Sequence, residues 1–72
     1  MTLKTYSNAK ESAEVVMDGE ALGVHKPGQT CVRRTKDGRF AVIKTVGDRL
    51  IKVLPNALQA RRYNFAIHGD RL

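Results

Sequence analysis

The sequence predicts a small, mainly β unit: about five short antiparallel strands closing into a barrel, with a short N-terminal helix. Three observations point there. Arg39 to Leu54, RFAVIKTVGDRLIKVL, is two runs of β-branched and aliphatic residues split by Gly47-Asp48. That pattern reads as a hairpin, because Gly accepts the positive φ of a tight turn and Asp tolerates it. Both runs are apolar almost throughout, with Lys44 and Lys52 as the main polar interruptions, so most of one face and part of the other need cover. Finally, the 72 residues allow one domain at most, and closing a small sheet on itself removes its exposed edges.

Taken in order, Met1 to Ser7 shows no period and is expected to be a flexible arm, docked at most by Tyr6. Asn8 to Glu14 is expected to be helical: Asn8 or Ser7 supplies a cap, and Glu11 follows Asn8 at capping-box spacing. Asp18-Gly19 splits Val15-Val16-Met17 from Ala21-Leu22-Val24, which favours a strand from Val15 and a hairpin; a helix running on to Gly23 is the alternative. Lys26-Pro27-Gly28-Gln29 reads as a turn. Strands are expected over 30–35, 39–46 and 49–54, with Lys36-Asp37-Gly38 turning the first into the second. Pro55 ends the meander because it has no N–H to donate. Asn56 to Ala60 reads as a single helical turn, Arg61 to Ile67 as a closing strand, and residues 68–72 as a flexible tail. The expected core is Val15, Leu22, Val24, Val32, Phe40, Val42, Ile43, Ile51, Val53, Leu54, Leu58 and Phe65. The register around Gly47-Asp48 leaves open whether Ala41 and Ile43 or Phe40 and Val42 face inward.

Charge is large and unevenly placed. The formal net charge is +6, yet residues 1–25 carry Glu11, Glu14, Asp18 and Glu20 against Lys4 and Lys10. Residues 26–62 carry ten cations against Asp37 and Asp48. A concentrated positive field suits an anionic partner such as nucleic acid; a surface that merely keeps a small protein dispersed is the plainer reading. A single cysteine, Cys31, rules out an internal disulfide and fits a reducing cytoplasmic location. No run is long enough to cross a bilayer, and the N-terminus lacks the apolar stretch of a signal peptide.

Phe40 to Tyr63 resembles the second half of the SH3-like barrel that ends retroviral and transposon integrases. The shared features are the apolar strand Ala41-Val42-Ile43, the turn Gly47-Asp48, the strand Ile51-Lys52-Val53-Leu54-Pro55 and the basic return Arg61-Arg62. Pro27 to Val32 is similar to the strand that opens such barrels. The resemblance implies an SH3-like barrel that binds DNA without sequence preference, through Lys44, Lys52, Arg61 and Arg62. A second resemblance, carried by Thr2 to Tyr6, Ala21-Leu22-Gly23-Val24 and the Gly38-Arg39 hairpin, is to the small phage Cro repressors. It implies an α+β fold, a helix-turn-helix plus hairpin, with Gly23 at the turn and Lys26-Pro27 opening a recognition helix through Gly28, Thr30, Cys31 and Val32.

No catalytic or metal constellation is expected. His25 and His68 stand apart from any ligand or triad partner, and Cys31 is expected as a small core residue. The glycines are spaced as turns, with no phosphate loop among them. The expected binding set is Arg33, Arg34, Lys36, Arg39, Lys44, Lys52, Arg61 and Arg62, with Tyr63 and Phe65 as core residues or as base-stacking platforms. The leading expectation is therefore a small basic nucleic-acid-binding protein of accessory or regulatory kind, phage- or mobile-element-like, on DNA in preference to RNA and without a cofactor. The alternative is a protein-binding module, such as a phage-encoded inhibitor or adaptor docking on an acidic host surface. Self-association is compatible with either.

Overall fold

The structure, a computed structural model, describes residues 1–22, 30–44 and 46–69. In chain order it comprises β1 (Leu3–Ser7), β2 (Ser12–Val16), β3 (Thr30–Arg34), β4 (Phe40–Lys44), β5 (Arg49–Leu54) and α1 (Ala57–Gly69). The strands form one mixed sheet in the order β2-β1-β5-β4-β3. The β3-β4-β5 meander is antiparallel, as expected, and β1 joins β5 in parallel at the single pair Ser7↔Arg49. The Asn8 side-chain amide reinforces that join by donating to the Leu50 carbonyl at 3.1 Å.

Both faces of the meander are apolar because both are covered. Ala41, Ile43 and Leu50 enter an inner cluster with Tyr6, Ala13, Val15 and Cys31, around which the sheet curls. Val32 and Val42 face the other way and pack with Ala60 of α1, flanked by Phe40, Ile51, Leu54, Tyr63 and Ile67. The open question of register thus has a double answer: Ala41/Ile43 fill the inner side and Phe40/Val42 lie beneath the helix. An irregularity sets Lys52 opposite Val42 and Leu50 opposite Ile43, so Ile51 and Lys52 both lie on the helix side, as a β-bulge allows.

The expected closed barrel is not formed; the sheet is open. Its outer strands touch at one corner, through the Val15↔Thr35 bridge and the Lys36 N–H donating to the Glu14 carbonyl at 2.9 Å. The free edge of β3 is occupied by Leu22, which exchanges two backbone hydrogen bonds with Val32 at 2.8 and 2.9 Å. A β2 ladder cannot extend along groups already paired.

The helix is C-terminal, not N-terminal. The Asn8–Glu11 signal makes a turn: Asn8 Oδ1 accepts the N–H groups of Lys10 and Glu11 at 2.8 and 2.9 Å. The residues that follow alternate, with Ala13 and Val15 buried and Ser12 and Glu14 exposed. They pair with Leu3–Ser7, which is a strand rather than an arm and buries Tyr6 to 1% exposure. Arg61 to Ile67 is helix instead of a closing strand. Asn56 caps it by accepting the Gln59 N–H at 2.9 Å, and Ala57, Ala60, Asn64 and Ile67 recur at helical spacing on the covered side. The helix runs on through His68 and Gly69, where a tail was expected.

Two turns stand as read: Gly38 and Gly47 adopt φ of 89° and 85°, and Asp48 follows at 50°. Thr30–Val32 is strand, which removes the recognition helix of the helix-turn-helix alternative. Val24, His25 and the Lys26–Gln29 turn lie outside the described residues. Of the expected core, Leu22, Leu58 and Phe65 are instead 41%, 60% and 58% exposed.

Candidate nucleic-acid interface

The fold splits the expected cations into two groups with different surroundings. Arg33, Arg34, Lys36 and Arg39 gather at the β3–β4 turn, among acids. Arg39 pairs with Asp37 at 2.9 Å. The Thr35 hydroxyl also donates to Asp37, and with the Arg39 contacts it lowers that carboxyl below its usual pKa. Half-buried Arg33 donates from Nη1 to the Gly19 carbonyl at 3.1 Å and shares a groove with Asp18, Glu20 and Arg34. Exposed Lys36 lines a second groove with Glu14, Asp37 and Arg39. A phosphate here meets Glu14, Asp18, Glu20 and Asp37 together with the cations.

The second group lies away from those acids. Lys44 stands directly opposite Arg49 across β4 and β5, on the side of the sheet that α1 covers. Lys52 is on the same side, its Nζ 5.5 Å from the Tyr63 ring centroid, within cation–π range. Exposed Arg61 and Arg62 lie on the outer surface of α1. Asp48, the acid nearest in sequence to Arg49, is engaged by Lys4 at 2.7 Å, and that hydrogen bond raises the Lys4 pKa. Among the described residues, Lys44, Arg49, Lys52, Arg61 and Arg62 form no ion pair.

Arg49 is the residue that the sequence reading left out of the binding set. Its position follows from the strand register, which makes Lys44 and Arg49 direct cross-strand neighbours. Like charges placed so repel, and an anion seated between them relieves that repulsion.

Other chemistry is sparse on the described surface. Cys31 is 5% exposed, and burial raises its thiol pKa away from the reactive thiolate. No group of three or more His, Cys, Asp or Glu is placed to hold a metal among the described residues. No described helix is long and apolar enough to cross a membrane. Compared with family models, with curated proteins and with solved structures, the chain matches none.

Proposed function

We propose that this chain is a small, basic nucleic-acid-binding protein of accessory or regulatory kind, phage- or mobile-element-like and cytoplasmic, which engages the phosphate backbone of DNA on the helix-covered side of its sheet. The observation that carries the reading is the Lys44–Arg49 pair beside Lys52, three cations with no acid partner among the described residues. Arg61 and Arg62 lie apart from these three, on the outer surface of α1. Phosphate contacts of this kind give affinity and orientation without sequence information. Arg33, Arg34, Lys36 and Arg39 contribute less, because their own acidic neighbours offset them.

Fluorescence anisotropy with random duplex and single-stranded DNA across a salt series tests the reading. Three phosphate contacts on duplex give a log–log salt slope on the order of −3. Lys44→Glu with Arg49→Glu is expected to abolish measurable binding, whereas Arg34→Glu with Lys36→Glu leaves most of it. Absence of binding at low salt, or equal loss from both pairs, refutes the proposal.

A further inference from the structure

The outer surface of α1 carries a feature that phosphate binding does not use. Leu58 and Phe65, 60% and 58% exposed, are the large exposed apolar residues of the helix. They lie seven residues apart, two turns along one face, with exposed Arg61 and Arg62 between them. At 1.5 Å per residue the two anchors are about 10 Å apart. Two apolar side chains at this spacing are what a partner helix or groove reads from an amphipathic helix. A phosphate backbone has no use for Leu58. A second copy of the chain packed helix to helix brings four arginines together, which opposes self-association through this face.

We infer that the outer face of α1 docks an acidic amphipathic segment of another protein, with Leu58 and Phe65 entering its apolar stripe and Arg61 and Arg62 meeting its carboxylates. Burying the two anchors supplies affinity, and the arginines set orientation and exclude basic partners. This site stands independently of the Lys44–Arg49 pair.

The probe is a synthetic helical peptide with leucine at the first and fourth positions of each heptad and glutamate beside them, compared with the same peptide carrying lysine for glutamate. Binding is followed by anisotropy and by backbone amide shifts of the intact chain. The glutamate peptide is expected to bind and to shift α1 resonances, and the lysine peptide is not. Leu58→Ala and Phe65→Ala are expected to weaken binding about tenfold or more, while Lys44→Glu with Arg49→Glu leaves it in place. Both anchors are exposed, so unchanged circular dichroism confirms that the variants fold. No binding, equal binding of both peptides, or indifference to the two alanine variants overturns the inference. Loss of DNA affinity in the alanine variants instead assigns the face to nucleic acid. A dimer in sedimentation that Phe65→Ala dissolves assigns it to a second copy.

Discussion

Leu50 sits at 1% exposure in the inner cluster, facing Ile43 across β4 and β5, while Leu58 is 60% exposed on α1. Truncation therefore separates them. Leu50→Ala is expected to cost about 2–5 kcal/mol of stability in urea denaturation, and Leu58→Ala to stay within about 0.5 kcal/mol. Asp37 gives a pH signature. Its folded pKa lies below the ordinary carboxylate value because Thr35 and Arg39 hydrogen-bond to its charged form. Its contribution is thus complete above about pH 4 and is lost as pH falls through the lower folded value. Thermal melts over the acid range are expected to decline less steeply in Asp37→Asn than in the parent chain. The Lys44–Arg49 opposition makes a third prediction. Arg49→Thr is expected to raise stability at low salt by about 0.2–1 kcal/mol while weakening DNA binding, the exchange of stability for function usual at binding sites.

At the scale of the element, two asparagines show what local signals do and do not decide. Asn8 with Glu11 and Asn56 with Gln59 have the same spacing, and each side-chain oxygen accepts the N–H three residues on, at 2.9 Å. The first makes a turn between β1 and β2; the second caps α1. The residues that follow separate the cases. Ala13 and Val15 alternate with polar neighbours and pair with β1. Ala57, Leu58, Gln59, Ala60, Arg61 and Arg62 are good helix formers. Arg61–Ile67 reads as a strand because its aromatic residues alternate, yet Asn64 is the position it buries, one helical turn after buried Ala60. Ala60, with no side chain beyond Cβ, lets α1 approach Val32 and Val42 closely. Asn64 holds the far half of the helix against β3, accepting the Thr30 hydroxyl at 2.5 Å. Asn64→Ala is expected to cost about 1–3 kcal/mol in denaturant unfolding, the penalty for disrupting a buried polar pair.

At the scale of the whole molecule, the acid-poor second half of the chain does not make one basic surface. Curling the sheet brings β2 beside the β3–β4 turn, so Glu14, Asp18 and Glu20 of the acidic front land among Arg33, Arg34, Lys36 and Arg39. The cations farther along, from Lys44 onward, keep their field. The strands of the meander, their turns at Gly38 and Gly47, and the burial of Cys31 were readable in the residues themselves. They depend on neighbours along the chain: β-branched runs, glycines free to take positive φ, and alternation. The open sheet, the strand β1, the covering helix and the division of the cations depend on pairs far apart in sequence: Ser7 with Arg49, Leu22 with Val32, Thr30 with Asn64, Val15 with Thr35. Composition and local period determined that this chain forms a charged, mostly β unit. Only long-range pairing decided which charges stand together, because the field of a cation is set by what the fold places beside it.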